Sequence, residues 1–130
     1  MPGETPEQRK RAERHRQFLE AADIGDAVRV QKFLDSGGID VNHAQPRTGL
    51  TALHIAAARN AVAVVRILAA SGLCDPALKD AQGRTAATLA VTVARNPALG
   101  RYLADLQYKT GVAAVQRAGQ SGKLTGQGEA

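Results

Sequence analysis

Three stretches of this chain lie on one another at a spacing of 34 to 35 residues. "GLTALHIAAARNAVAVVRILAASG" (49–72) lies over "GRTAATLAVTVARNPALGRYLADL" (83–106) at an offset of 34. Gly49 then falls on Gly83, Thr51 on Thr85, Ala56 on Ala90, Val65 on Leu99 and Leu68 on Tyr102. "RQFLEAADIGDAVRVQKFLDSG" (16–37) lies over 51–72 at an offset of 35. That places Phe18 on Leu53, Ala21 and Ala22 on Ala56 and Ala57, and Gly37 on Gly72. A repeat of this length is one small unit that cannot bury its apolar face alone. The units must stack, and the core becomes a row shared between neighbours rather than a single centre.

Each unit reads as two short helices. The first is rich in Ala, with Leu53, Ala56 and Ala57 at helical spacing on one face. The second carries Val and Leu at i, i+3 and i+4: Val30, Phe33 and Leu34 in one unit, Val64, Val65 and Leu68 in the next. Gly25 and Asn60 stand between the helices, where a tight turn calls for a residue tolerant of positive φ. Gly37 and Gly72 end the second helices, and Pro97 suits the first turn of a new one. Aromatics are only 3% of the chain while apolar residues are 44%. The core is therefore built from small aliphatic side chains, which let helices approach closely. The expected fold is all-α, a solenoid of helix-turn-helix repeats with projecting turns.

The spacing divides the chain into a charged N-terminal helix or cap (1–15), a repeat domain (16–109) and a tail (110–130). The repeats span about 16–48, 49–82 and 83–109. The linkers "GGIDVNHAQPRTG" and "GLCDPALKDAQG" are rich in turn formers, and the first is one residue longer. A short helical stretch is expected over 110–118, then disorder through the Gly-rich "GQSGKLTGQGEA".

Catalytic and metal chemistry find little to work with. Cys74 is the only cysteine, so an intrachain disulfide and a four-Cys zinc site are excluded. His15, His43 and His54 form no close pair in sequence. Cys74 reads as a small hydrophobe in a turn rather than a nucleophile. "GQSGKLTG" resembles a phosphate loop but has Arg117 where the first Gly belongs and Leu124 where the hydroxyl belongs. No enzyme, cofactor or metal is expected. The first twenty residues are too charged for a signal peptide, and no apolar run is long enough to span a bilayer. A soluble, cytoplasmic monomer follows, with delivery into a host cell left open. High Ala and a preference for Arg over Lys fit a GC-rich bacterial source.

The basic run "QRKRAERHR" (8–16) offers a nucleic-acid surface as an alternative function, but Glu residues interleave with it. Glu7 and Arg11 have the spacing of a helix-stabilising pair, so a solvated helix face is expected instead.

Thr51-Ala52-Leu53-His54-Ile55-Ala56-Ala57 resembles the Thr-Pro-Leu-His-x-Ala signature of the ankyrin repeat family. "SGGIDVN" (36–42) is similar to that family's end-of-repeat segment, and the resemblance covers about 16–107. The third copy keeps only the Thr of the motif, in Thr85-Ala86-Ala87-Thr88, as a terminal cap can. The resemblance implies a structural role for Thr51, Leu53, His54, Ala56 and Ala57, with Gly49, Gly83 and Thr85 as their counterparts in the turns and the next repeat. The Thr hydroxyl caps the first helix, and the His bonds to that Thr and to the backbone of a neighbouring turn. It also implies a partner-binding surface on the turn tips and first helices: Arg47, Thr48, Leu50, Ala58, Arg59, Ala81, Gln82, Arg84, Thr92 and Val93. Three of these are Arg and none is acidic. A protein partner with an acidic segment fits, and so does the plainer reading that these Arg residues only keep the surface soluble.

Overall fold

The computed structural model describes residues 3–124, with side chains as far as residue 111. The described residues form six helices and no strand: α1 (Pro6–Ile24), α2 (Ala27–Ser36), α3 (Ala52–Ala58), α4 (Val62–Ala70), α5 (Ala86–Thr92) and α6 (Pro97–Leu124). They pair as α1 with α2, α3 with α4 and α5 with α6. The first helices α1, α3 and α5 pack in a row, and α2 packs on α4. This is the helix-pair solenoid the spacing predicts.

Local chemistry starts each first helix. Thr5 Oγ1 accepts from the Gln8 amide at 3.1 Å and Gln8 Oε1 accepts from the Thr5 amide at 2.9 Å. Thr51 and Thr85 accept from the amides of His54 and Thr88, both at 3.3 Å. The second helices start differently. Asp26 accepts from the Arg29 amide at 3.1 Å and Asn96 from the Leu99 amide at 3.1 Å. Ala61 at the head of α4 offers no side-chain cap. That helix is held instead by burial of Val64, Val65 and Leu68.

The core runs the length of the row. Phe18, Val30, Leu53, Val64, Val65, Leu68, Leu89 and Leu103 are fully buried. Between them Ala21, Ala22, Ala56, Ala57 and Ala90 have no exposed surface. Phe33 is half-buried at the first unit's edge, edge-on to Phe18 with ring centroids 5.9 Å apart.

In the third unit the structure corrects the register. Leu68 corresponds to Leu103, which is 0% exposed, and not to Tyr102, which is 40% exposed. The link between helices shows why. Asp26 and Ala61 each return an amide to a carbonyl five residues back, Ala21 and Ala56. Asn96 returns to Ala90, six back. One extra residue therefore precedes α6, and the offset beyond it is 35. Left-handed backbone falls on Gly25 (φ 76°), Asn60 (φ 60°) and Arg95 (φ 55°), so an Arg occupies this position in the third unit.

The turns are tied to one another. Gln45 donates its amide to the Leu50 carbonyl, and Asp80 donates to Arg84. The first loop thus holds the extra residue of the longer linker. Across the loops, the Ala81 amide donates to the Thr48 carbonyl at 2.8 Å. Gly49 permits this: its φ is 69°, and a Cβ there would sit 2.7 Å from the Ala81 nitrogen.

Two expectations differ from the structure at the ends. On α1 the ion pair that forms is Glu13–Arg16, not Glu7–Arg11. Side chains at i, i+3 meet as readily as those at i, i+4, and Glu13 also accepts from Gln17 at 3.0 Å. In the tail, α6 is helical through Leu124, so 119–124 are not the irregular stretch that their glycines suggest. Extending a helix already nucleated costs far less than starting one. Residues 125–130 of that expectation lie outside the described residues.

Leu53 is 1% exposed on the helix that packs between α1 and α5. Truncation to Ala should cost about 2 to 5 kcal/mol in denaturant titration. A loss well under 1 kcal/mol would remove Leu53 from the core.

Candidate partner-binding face

His54 joins the second and third units. Its Nε2 lies 2.9 Å from the Arg84 carbonyl, which can only accept, so Nε2 carries the hydrogen. Nδ1 then accepts, from the Thr51 hydroxyl at 2.8 Å and the Thr51 amide at 3.3 Å. Thr51 and His54 are both buried, and every polar atom of the imidazole is satisfied. The pair is architecture.

The network continues through Asp80, a buried carboxylate the sequence reading did not single out. Its Oδ1 accepts from the amides of Gln82 (2.9 Å) and Arg84 (2.8 Å), and its Oδ2 from Arg84 Nε at 2.8 Å. Burial pushes the Asp80 carboxyl up, but the hydrogen bonds and charge of Arg84 and the Gln82 amide together hold it below its ordinary value. The signal was present as an Asp placed to accept from amides two and four residues on, a turn-former's habit.

The ten residues assigned to partner binding are not equivalent in the structure. Arg47 and Thr48 are exposed at the first tip, and Ala81 and Gln82 at the second. The Thr48–Ala81 bond brings these tips together. Leu50 is half-buried against the core. Ala58 is half-buried at the end of α3, and Thr92 and Val93 are exposed at the end of α5. Two of the three Arg residues have partners. Arg84 is spent on Asp80, and Arg59 Nε donates to Asp23 Oδ1 at 2.7 Å. Arg47 forms no ion pair among the described residues. Asp23 and Ile24 were missed. They are the first unit's counterparts of Ala58 and Arg59, and Ile24 is 63% exposed. On the same side Asn96 Nδ2 donates to Asn60 Oδ1 at 2.8 Å.

The basic run on α1 is largely engaged within the protein. Arg9 donates to the Glu4 carbonyl, Arg16 pairs with Glu13, and Arg14 reaches Ser36 Oγ and the Gly37 carbonyl while lying over the Phe33 ring. Cys74 is half-buried, and burial, then the charge of Asp75, pushes its thiol up to about 12. A thiol so reluctant to ionise is a poor nucleophile. Among the described residues no group of three or more His, Cys, Asp or Glu could hold a metal, and no helix is long and apolar enough to cross a membrane.

His54→Ala leaves the Arg84 carbonyl and Thr51 hydroxyl unmet and should cost about 1 to 3 kcal/mol in denaturant titration. Thr88→Ala, at the exposed equivalent position, should cost no more than about 0.5 kcal/mol. Asp80 gives a second expectation, read against pH. Its carboxyl is more acidic folded than unfolded, so its contribution is complete above about pH 4 and is lost as pH falls through the folded value. Asp80→Asn should flatten the decline in unfolding midpoint below pH 4. A decline as steep as in the parent chain would remove Asp80 from this account.

Comparison with known proteins agrees with this geometry. Residues 18–114 match the family described as ankyrin repeats in three copies. The chain is also 43% identical over 88 residues to the rice (Oryza sativa subsp. japonica) protein "Zinc finger CCCH domain-containing protein 50". That stretch is 64% of this chain and 13% of the rice protein. With one cysteine, this chain cannot itself supply a three-Cys, one-His zinc set. Repeats of the matched family are generally modules for protein–protein interaction and typically have no catalytic activity. With its three matched copies, its stacked helix pairs and its Thr-His joint, this chain belongs to the ankyrin repeat family.

Proposed function

We propose that the chain is a non-catalytic module that binds an acidic segment of a protein partner across the two turn tips and the exposed ends of α3 and α5. The observation carrying this reading is Arg47. It is exposed at a tip, it has no carboxylate partner among the described residues, and its tip is bonded to the next one. A guanidinium presents a planar fork that takes a carboxylate through two parallel bonds. Thr48, Ala81 and Gln82 flank it with backbone already fixed by the Ala81–Thr48 bond between the loops and by bonds within each loop. A surface ordered before binding loses little conformational entropy when the partner arrives. Arg59 extends the surface toward Thr92 and Val93, with Asp23 holding its guanidinium in place. The reading places the module in a reducing cytoplasm, where a lone thiol stays reduced, and as a single copy.

The chain captured with its partner from a lysate of its source supplies the assay. Arg47→Glu should weaken the complex about tenfold or more, and the weakening should shrink as salt rises. Arg84→Glu is not a usable probe, because it would set two carboxylates against each other at Asp80. Unchanged affinity on Arg47→Glu would remove the acidic segment from the proposal.

A further inference from the structure

Two imidazoles meet where the first turn leaves α2. The rings of His15 and His43 lie 4.6 Å apart, tilted by 38°. His15 is buried, and both its nitrogens are used. Nδ1 lies 2.8 Å from the Arg11 carbonyl and so donates to it. Nε2 accepts from the Asp40 amide at 2.9 Å. Twenty-five residues separate that donor from that acceptor, and the bond pins the turn to α1. The His43 amide donates in turn to the Asp40 carbonyl at 3.0 Å, which places the second ring beside the first.

We propose that His15 and His43 form an acid-sensitive latch that holds the 37–43 turn against α1 at neutral pH and releases it as pH falls. The chemistry follows from the bond directions. A second hydrogen on His15 would sit on Nε2 and face the Asp40 N–H, setting donor against donor. Two charged rings at this separation would also repel each other. Burial and then the charge of His15 hold His43 below its ordinary value, against the pull of Asp40. A base lowered in this way binds fewer protons closed than open. Closure is therefore complete above about pH 6.5 and is lost as pH falls through the folded value.

The neighbouring charges do not cancel this. Asp40 lies on the turn itself and favours a charged His43. From α1, Arg14 is held at Ser36 and Gly37, Arg16 is held at Glu13, and Arg11 is exposed. From α2, Asp35 accepts from Gln31 at 2.8 Å. From the following turn, the Asp75 amide donates to Asn42 Oδ1 at 2.8 Å, and Asn42 Nδ2 donates to the Leu73 carbonyl at 3.0 Å. Release at Asp40 therefore loosens the anchor of Asn42 and reaches the second turn.

Amide hydrogen exchange on the full chain between pH 7.5 and 5 tests the latch. The Asn96 amide, bonded to the Ala90 carbonyl in the third unit and away from both turns, is the internal reference. Protection of the Asp40 amide should fall about tenfold more than that of Asn96 over this range. In His15→Gln a side-chain carbonyl can accept the same amide without gaining a proton, and the extra loss should vanish. In His43→Asn the ring repulsion is gone, and the transition should move to lower pH. Parallel pH responses at Asp40 and Asn96 in the unmodified chain would overturn the proposal. So would variants that keep the parent transition.

Discussion

The imidazole of His54 makes a row out of units that could not stand alone. A helix pair of this size cannot bury its apolar face by itself, so it persists only against a neighbour. Apolar contact between α3 and α5 is tolerant of sliding. The bond from His54 to the Arg84 carbonyl is not, because its reach and direction are fixed by the Thr51 bonds at the other nitrogen. Asp80 fixes the far end by holding the turn that presents that carbonyl. Register between the second and third units is thus set by polar groups, and adhesion by aliphatic ones. His15 does a comparable job one unit earlier with the opposite tautomer, accepting where His54 donates.

Charge is handled locally on this molecule. The sequence carries an excess of cations, yet Arg59 and Arg84, two of the three Arg residues assigned to the partner-binding face, are matched by aspartates. Counting cations along a helix overstates the field that a partner meets, because carboxylates within the same helix or turn, and in one case on the neighbouring unit, take up part of the charge. The exposed Asp23–Arg59 pair contributes little to stability, as exposed pairs do. Its effect is on direction: it holds a long side chain across two units instead of letting it sweep.

The fold was legible because its signals are local or periodic. Thr51 and Thr85 announce helix starts, Gly25 and Asn60 announce tight links, and the 34-residue spacing announces the stack. The slip before α6 was not legible. Arg95 takes a left-handed conformation for which its side chain gives no cue, and Tyr102 and Leu103 are both apolar enough to fill a core position. The candidate surface was readable only as a set of positions. What each residue does there depends on contacts such as Asp23–Arg59, made between residues 36 apart, which no short-range pattern encodes. His15 escaped for the same reason, since its partner Asp40 lies in another element.

The third unit breaks the pattern where a fourth would attach. Thr88 stands in the place of His54 and is exposed, and Val91 stands in the place of Ala57 with nearly half its surface in solvent. Thr88 is too short to reach across to another loop, and Val91 is bulkier than the alanine that lets α3 and α5 sit close. The outer face of α5 therefore offers neither the imidazole nor the small methyl that α3 offers to α5. An engineer wishing to lengthen the array would have to restore imidazole and methyl at these two sites before any appended unit could seat.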